Sequence, residues 1–455
     1  MTTSKKNTSQ VREVALEVII EVLEKGGYSH KVLGQALTKY QYLDKQERAF
    51  LSRLCEGTIE RAIELDYIIN QFSKVKVKKQ KPVIRNILRM AVYQIRYMDA
   101  VPDSAACNEA VKLGVKKGFG TLRGFINGVL RNISRNQEEI TYPDQAKEPI
   151  KYLSIKYSMP EWIVLKWMKE YDYKTVEGIL EKYNQSKATT IRTNLLKTTP
   201  EELKASLEKA GVTVKPASYM PYAFYISNYN YLSNLEEFRE GLFQVQDESS
   251  MLVGEIADVK EDNIVIDVCA APGGKTLHMA EKLKGTGMVY SRDLTYEKTA
   301  YIEENVLRLG IENVSVEARD ALVLDQDSVG KADVVICDLP CSGLGVIGKK
   351  PDIKYKITEE QLSDLSKLQQ EILKVVTTYV KPGGTLIYST CTINKAENED
   401  NMNFIVKELG FKLENIDTYL PKTLQNETTK EGYLQLIPGI HNTDGFFISR
   451  LKKVQ

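Results

Sequence analysis

The sequence contains few of the residues that build metal centres, disulfide frameworks or membrane spans. Among its 455 residues there are three histidines and six cysteines, and no run of 18 apolar residues occurs. The apolar stretch 11–23 is interrupted by Glu13, Glu17 and Glu21. These scarcities exclude a signal-peptide core and a membrane helix, and they argue against a zinc site or a disulfide framework. We expect a cytoplasmic protein with reduced thiols that binds neither a metal nor a membrane.

The composition is that of a globular protein, with 42% hydrophobic and 27% charged residues. At roughly 150 residues per domain, the length predicts about three domains. The net charge of +1 is the sum of a basic region and an acidic one. Residues 1–140 carry 24 basic and 15 acidic side chains, or +9, and the rest carries 38 and 46, or −8. The densest basic stretch contains Lys74, Lys76, Lys78, Lys79, Lys81, Arg85 and Arg89. Such a stretch is either a phosphate-binding surface or a solvated helix face, and charge alone leaves both open.

The first 140 residues predict an all-helical bundle. Apolar residues recur at spacings of three and four in the segments 11–23, 50–63, 83–97 and 122–133. Ser104 follows Pro102-Asp103 and is a candidate helix N-cap. No alternation typical of strands occurs in this region.

The middle region, 141–245, predicts a linker followed by a small α+β domain. The polar segment 136–150 contains two prolines and is typical of a linker. Helical patterns and short β-branched or aromatic runs then alternate, which predicts helices at 161–171, 175–183 and 201–210 and strands at 189–194, 212–214, 224–226 and 243–245.

The last region, 246–455, predicts a doubly wound α/β domain of the Rossmann type. Short apolar runs alternate with amphipathic helices, which is typical of a parallel sheet covered on both faces. The predicted strands are 264–268, 288–291, 314–316, 334–337, 385–388 and 446–451, and the main helices are 275–283, 296–309 and 359–380.

The first of these strands runs into a loop of small residues that predicts a ligand site. Two glycines allow a ligand to approach the backbone closely, and the N-terminus of the following helix favours a carboxylate. The string is neither a P-loop nor G-x-G-x-x-G, so a phosphate-gripping nucleotide site is disfavoured. The loop residues are Cys269, Ala270, Ala271, Pro272, Gly273, Gly274 and Lys275.

Acidic residues and cysteines follow the other strands. Asp293 is placed to accept hydrogen bonds from ribose hydroxyls, and Asp320 to meet an adenine amino group. The fourth strand runs into Asp338 and then Cys341, and the fifth runs into Cys391. Because ligands of parallel sheets bind beyond the carboxyl ends of the strands, two cysteines here predict thiolate chemistry beside a nucleoside-shaped pocket.

The segments 267–276, 338–343 and 389–391, in this order, resemble the motifs of the RNA 5-methylcytosine methyltransferases, which use S-adenosylmethionine. This resemblance covers residues 246–455. The helical region, with Val101-Pro102 and the segments 108–110 and 125–130, is similar to the NusB antitermination fold. The two together resemble the RsmB (Sun, Fmu) family over essentially the whole chain.

The RsmB family methylates C5 of the cytosine at position 967 of bacterial 16S rRNA. The resemblance therefore implies an S-adenosylmethionine site built from the loop residues 269–275 together with Asp293, Asp320 and Asp338. Before Asp293, this chain has Tyr290-Ser291-Arg292, which is unusual for the family.

Cytosine C5 is a poor nucleophile, so a thiolate must first add to C6. The family pattern assigns that role to Cys391 and product release to Cys341. DNA cytosine methyltransferases use a Pro-Cys nucleophile, which is the pattern of Pro340-Cys341, so the opposite assignment stays open. Asp338 would bind the cytosine edge and stabilise the protonated adduct.

For partners, we expect 16S rRNA that is free or in early assembly, and a monomeric protein. The basic helical domain, Arg192, Asn194 and the segment 348–353 are candidate RNA contacts. One alternative is the same chemistry on transfer RNA or another rRNA site, against which the NusB-like region argues. A second is a non-catalytic RNA or ribosome factor, against which Asp338, Cys341 and Cys391 argue. NusB-like helices also serve as protein-binding surfaces.

Overall fold

The computed structural model describes residues 2–185 and 188–454. These residues form two compact units. The first consists of residues 2–185 and 347–356, and the second of residues 188–346 and 357–454. Within the described ranges, no helix is both long and apolar enough to cross a membrane.

The first unit is helical, which confirms the predicted bundle. Its core is formed by apolar residues such as Leu16, Leu54, Leu88 and Ile126, and the cysteines 55 and 107 lie in this core. The helices are α1 (Thr2–Lys25), α2 (Ser29–Lys39), α3 (Lys45–Glu60), α4 (Ala62–Phe72), α5 (Pro82–Tyr97), α6 (Asp103–Lys116), α7 (Arg123–Arg135), α8 (Pro149–Lys156), α9 (Glu161–Trp167) and α10 (Tyr173–Tyr183).

Local signals set where these helices start. Asp44 and Glu47 form a capping box at the start of α3, with Glu47 N donating to Asp44 Oδ1 at 2.8 Å. The predicted N-cap role of Ser104 is wrong. Helix α6 already begins at Asp103, and the carbonyl of Pro102 accepts its first backbone hydrogen bonds from the amides of residues 105 and 106.

The second unit begins with a small antiparallel sheet, as predicted for the α+β region. Its strand order is β2-β3-β1-β4. A capping box between Thr199 and Glu202 starts the helix that follows the first strand. The elements are β1 (Thr189–Thr193), α11 (Pro200–Lys209), β2 (Thr213–Pro216), β3 (Ala223–Ser227), α12 (Glu236–Arg239) and β4 (Phe243–Val245).

The remaining elements form the large sheet and its helices, except α16, which belongs to the first unit. They are α13 (Glu248–Ala257), β5 (Ile264–Asp267), α14 (Gly274–Lys282), β6 (Met288–Asp293), α15 (Tyr296–Leu309), β7 (Val314–Ala318), β8 (Ala332–Asp338), α16 (Ile353–Lys356, in the first unit), α17 (Glu359–Val376), β9 (Val380–Thr390), α18 (Glu399–Glu408), β10 (Phe411–Leu413), α19 (Glu427–Glu431), β11 (Tyr433–Leu436) and β12 (Phe446–Lys453).

The large sheet has the order β10-β12-β9-β8-β5-β6-β7, with β11 paired to β12. Strands β5 to β9 are parallel, which confirms the Rossmann-like core, but β10, β11 and β12 pair antiparallel. The sheet is therefore mixed rather than wholly parallel. The connection from β11 to β12 contains no helix and is shorter than the crossover that two parallel strands require. These two strands therefore pair antiparallel.

A ten-residue segment, 347–356, lies between two segments of the second unit but packs within the first. The amine of Lys354 donates to the carbonyl of Glu60 at 2.7 Å, and the hydroxyl of Tyr355 donates to the carbonyl of Ile59 at 2.8 Å. Lys356 donates to the carbonyl of Gly27 at 2.8 Å. The segment 348–353, predicted to contact RNA, therefore belongs to the helical unit.

Replacing Lys354 by methionine should stabilise the protein below neutral pH. The side chain is 2% exposed, and burial lowers the pKa of Lys354 to about 7. Below pH 7 the folded protein must therefore bury an ammonium group, whereas an unfolded lysine is charged up to about pH 10 at no such cost. We expect Lys354→Met to raise the free energy of unfolding by about 1–4 kcal/mol at pH 6. The gain should shrink between pH 7 and pH 10.

The measurement is thermal or urea unfolding at several pH values. Lys112→Met is a matched control because Lys112 is exposed. A loss of stability at pH 6 in Lys354→Met would show that the hydrogen bond to Glu60 outweighs the cost of burying the charge.

Candidate active site

The carboxyl ends of the parallel strands meet at one edge of the large sheet, and hydrogen bonds connect the predicted residues there. The amide of Ala271 donates to Asp293 Oδ2 at 2.9 Å, and Lys275 donates to Asp338 Oδ2 at 2.6 Å. The sulfurs of Cys341 and Cys391 are 3.2 Å apart. Loops after β5, β6, β8 and β9 thus form one connected site.

The loop 269–275 has a backbone conformation that depends on glycine. Gly273 has φ +100°, and a Cβ there would lie 3.2 Å from the Ile302 side chain. Helix α14 begins at the next residue, so its first amides point out of the sheet edge. The amide of Ala270 donates to the carbonyl of Arg292 at 2.9 Å, which ties this loop to the end of β6. Burial raises the pKa of Cys269, so this thiol stays protonated.

Asp293 is 4% exposed and ends β6. Besides the amide of Ala271, it accepts hydrogen bonds from the amide of Leu294 at 2.7 Å and from Lys298 at 2.9 Å, both on Oδ1. Oδ2 therefore keeps acceptor capacity for a ligand hydroxyl. Asp320, in contrast, is exposed beyond β7, and its carboxylate accepts from the amide of Leu322 at 2.9 Å.

The unusual residues before Asp293 have partners inside the protein. Ser291 shares a hydrogen bond of 2.8 Å with Thr276, which also donates to Asp267 at 2.8 Å. Arg292 forms ion pairs with Glu317 at 3.2 Å and with Asp325 at 2.9 Å. Ser291 and Arg292 therefore pack inside the protein without leaving a charge unpaired. Asp267 is fully buried, and burial raises its pKa to about 7.

Lys275 and Asp338 form a partly buried ion pair at the centre of the site, with side chains 12% and 26% exposed. Although burial alone would lower it, the charge and hydrogen bond of Asp338 raise the pKa of Lys275, so its amine stays cationic. A charged Cys391 contributes in the same direction. Ser389 donates to the other carboxylate oxygen of Asp338 at 3.0 Å. The pair therefore places a fixed cation beside the two thiols.

The two thiols differ in their surroundings. The hydrogen bond with Cys391 and burial raise the pKa of Cys341 well above its usual range. Cys341 therefore keeps its proton at neutral pH and can donate it to the sulfur of Cys391. The arrangement places two sulfurs side by side, and one of them holds a proton that it can share with the other.

Sequence reasoning missed the buried polar residues behind the cysteines. Glu397, Asn394 and Gln369 have no exposed surface. The only signal was the polar run from Asn394 to Glu399, close after Cys391. In the ranges that the structure describes, no group of three or more His, Cys, Asp or Glu side chains is arranged to hold a metal ion.

Two predicted RNA contacts have protein partners instead. Arg192 is 1% exposed, where it forms an ion pair with Glu281 and donates to Gln246 at 2.7 Å. Asn194 is also buried and donates to the carbonyls of Gly241 and Leu309. Neither side chain presents a surface to RNA, so this part of the prediction is wrong.

Three family models match the chain. Residues 255–452 match the model of the 16S rRNA methyltransferases RsmB/F. Residues 9–135 match the NusB family, and residues 159–231 match the ferredoxin-like domain of RsmF/B-like methyltransferases. The crystal structure of PH0851 is similar, with 27% identity and a TM-score of 0.80, covering 97% of this chain and 99% of that one.

Curated relatives match over nearly their full length. The probable ribosomal RNA small subunit methyltransferase B of Bacillus subtilis is 35% identical, with 98% of this chain and 99% of that protein covered. The protein of the same name from Synechocystis is 32% identical, with 97% and 99% covered. The chain therefore belongs to the RsmB/F family of S-adenosylmethionine-dependent 16S rRNA methyltransferases.

Proposed function

We propose that this chain methylates C5 of a cytosine in 16S rRNA, the base at position 967, through a covalent bond between Cys391 and C6. The observation that carries the proposal is the 3.2 Å contact between the sulfurs of Cys341 and Cys391, beside the ion pair of Lys275 and Asp338. A cation and a protonated thiol next to a second sulfur are what an attacking thiolate requires.

The residues at the sheet edge fit S-adenosylmethionine. The first amides of α14, which begins at Gly274, suit a carboxylate. The free acceptor capacity of Asp293 suits ribose hydroxyls, and exposed Asp320 suits the adenine amino group. We assign cofactor contacts to the loop residues 269–275 and to Asp293, Asp320 and Asp338. When bound, S-adenosylmethionine supplies an electrophilic methyl group to C5.

Cys391 makes C5 reactive. Its thiolate sulfur bonds to C6, and the electrons of the C5–C6 double bond move to C5 and into the ring. The cationic Lys275 stabilises the thiolate before attack. Asp338 accepts a hydrogen bond from Ser389, which is two residues before Cys391. From this position its carboxylate can hydrogen bond to the cytosine edge and hold the adduct in place.

Cys341 acts in the second half of the reaction. After C5 carries the methyl group, a base removes the C5 proton, the C5–C6 double bond re-forms and the bond between C6 and Cys391 breaks. The leaving sulfur gains negative charge at that moment. The protonated Cys341 can donate a hydrogen bond to it, because the two sulfurs are in contact.

The RNA surface is proposed to lie on the helical unit. Lys74, Lys78, Lys79 and Lys81 are exposed around the start of α5, which suits a phosphate backbone. Such contacts position an RNA without specifying its sequence. A cytosine must leave its stack to reach the thiols, which costs a few kcal/mol. We therefore propose that the substrate is rRNA that is free or in early assembly, bound by a monomer in the cytoplasm.

Single cysteine variants test the assignment of the two thiols. With 16S rRNA transcript and radiolabelled S-adenosylmethionine, Cys341→Ala should accumulate a protein–RNA adduct, because it attacks but releases product slowly. Cys391→Ala should form neither adduct nor methylated RNA. A denaturing gel separates the adduct, and digestion of the RNA in it identifies the modified base.

Cys107→Ala is the matched control, since Cys107 is buried in the helical unit. If Cys391→Ala accumulates the adduct and Cys341→Ala does not react, Cys341 is the nucleophile. If the unmutated protein transfers no methyl group to 16S rRNA, the proposed substrate is wrong.

A binding measurement tests the cofactor site. Asp293→Asn should weaken S-adenosylmethionine binding by about 10–100-fold. The substitution replaces a charged acceptor by a neutral amide, and the NH₂ group of that amide would face one of the groups that now donate to Asp293. Isothermal titration calorimetry without RNA measures this directly. Asp364→Asn, on the exposed surface of α17, should bind normally. Equal affinities for both variants would contradict the role of Asp293.

A triple variant tests the RNA surface. Replacing Lys74, Lys78 and Lys79 by glutamine should weaken binding to a 16S rRNA fragment. The magnitude of the slope of log affinity against log salt concentration should fall by about 2–3. Each phosphate contact contributes slightly less than one released counterion to this slope, and the variant loses three such contacts. The control is a triple glutamine variant at other exposed lysines: Lys209, Lys215 and Lys407. Equal salt slopes for both triple variants would place the RNA surface elsewhere.

A further inference from the structure

The two cysteines lie beyond the last paired residues of their strands. Strands β8 and β9 pair up to Asp338 and Ser389, and Cys341 and Cys391 follow. Two backbone bonds continue across the gap, from the amide of Leu339 to the carbonyl of Ser389 at 3.3 Å and from the amide of Gly345 to the carbonyl of Cys391 at 3.1 Å. Neither bond holds Cys341 itself or the residues directly before and after it.

A buried carboxylate connects the two loops, beside a hydrogen bond of 2.8 Å between the hydroxyls of Ser342 and Thr392. Glu397 has no exposed surface, and its oxygens accept hydrogen bonds from both sides. The amide of Ser342 donates to Oε2 at 2.8 Å, and the hydroxyl of Ser342 donates to Oε1 at 2.5 Å. Asn394 donates to Oε1 at 2.8 Å. Ser342 directly follows Cys341, and Asn394 is three residues after Cys391.

Further bonds fix the carboxylate from behind. Gln369 of α17 donates to Glu397 Oε2 at 3.2 Å and to the carbonyl of Pro340 at 2.8 Å. Asn401 of α18 holds the oxygen of Gln369 at 2.7 Å. The residue after Cys341 is therefore anchored to Glu397, and the residue before it is anchored to Gln369, which itself donates to Glu397.

The negative charge is needed for this geometry. In the described part of the chain Glu397 has four hydrogen-bond donors and no ion-pair partner. Burying a carboxylate without a cation is expensive unless such donors surround it. A glutamine would fill the same volume, but its NH₂ would face two of these donors. Packing alone therefore does not explain a glutamate here.

We propose that Glu397 is a positioning residue that keeps the sulfurs of Cys341 and Cys391 in contact. The benefit of this contact rests on the proposed function, because a proton donor helps product release only if it stays beside the leaving sulfur. The effect of Glu397 on the distance between the two sulfurs does not depend on which reaction the site catalyses. Glu397 touches neither sulfur in the described hydrogen bonds and acts through Ser342 and Asn394.

Oxidative crosslinking measures the contact without substrate. Diamide takes two electrons and two protons from a thiol pair and leaves a disulfide, which requires the sulfurs to close from 3.2 Å to about 2.0 Å. In the unmutated protein, mass spectrometry should find rapid bonding between Cys341 and Cys391. Glu397→Gln should slow this bonding by about tenfold or more, because loops released by even 1 Å seldom bring both sulfurs together.

Kinetics supply the second readout. Glu397→Gln should lower kcat by roughly 10–100-fold and leave the KM for S-adenosylmethionine nearly unchanged, since the cofactor loop is not involved. The matched control is Glu248→Gln. Glu248 is 1% exposed and accepts from the amides of Ser218, Tyr219 and Met220, so it is a comparable buried carboxylate away from the thiols. It should lose stability but keep the crosslinking rate.

Ser342→Ala is the milder second variant in case Glu397→Gln does not fold. It removes the hydroxyl bonds of Ser342 to Glu397 and to Thr392, keeps the bond from its amide to Glu397, and should slow crosslinking several-fold. Unchanged crosslinking in Glu397→Gln, or in Ser342→Ala where the first variant fails to fold, would overturn the proposal. If the unmutated protein crosslinks rapidly but methylates no RNA, the proposed function fails while the positioning role of Glu397 is still decided by the crosslinking rates.

Discussion

The parallel pairing of β8 with β9 is the constraint on which the site depends. It sets Asp338 opposite Ser389, and parallel strands end at the same edge of a sheet. Neighbouring strands lie about 4.8 Å apart, so residues that follow the two ends are within reach of each other. The bond from Ser389 to Asp338 follows from this register, which also places the loops that carry Cys341 and Cys391 side by side. A slip by one residue would turn these side chains to opposite faces.

Much of the site was predictable because its signals are local. The loop 269–275 and the strand-end residues Asp293, Asp338, Cys341 and Cys391 sit at positions that the strand-helix alternation defines. The helical unit, the small sheet and the Rossmann-like core were predicted for the same reason. Periodicity reports which segments form helices or strands, and it needs no knowledge of distant partners.

The rest required contacts between residues far apart in sequence. The role of Glu397 depends on Ser342, 55 residues earlier, and Arg192 is buried because Glu281 lies 89 residues later. A charged residue in a sequence is normally exposed, so burial of these groups has no local signature. Periodicity likewise could not predict the antiparallel edge of the large sheet or the packing of residues 347–356 in the helical unit.

The charges around the two sulfurs explain why one thiol must keep its proton. Lys275 interacts favourably with a charge on Cys391, Asp338 offsets part of the charge of Lys275, and Glu397 adds a negative charge near Cys341. A thiolate on Cys391 therefore already makes the region anionic, and a second thiolate 3.2 Å away would repel it strongly in a partly buried site. The hydrogen bond with Cys391 and burial are the main causes of the raised pKa of Cys341, and the charges of Cys391 and Glu397 add to them. Glu397 therefore serves the site mainly through the hydrogen bonds that hold the loops, and only secondarily through its charge.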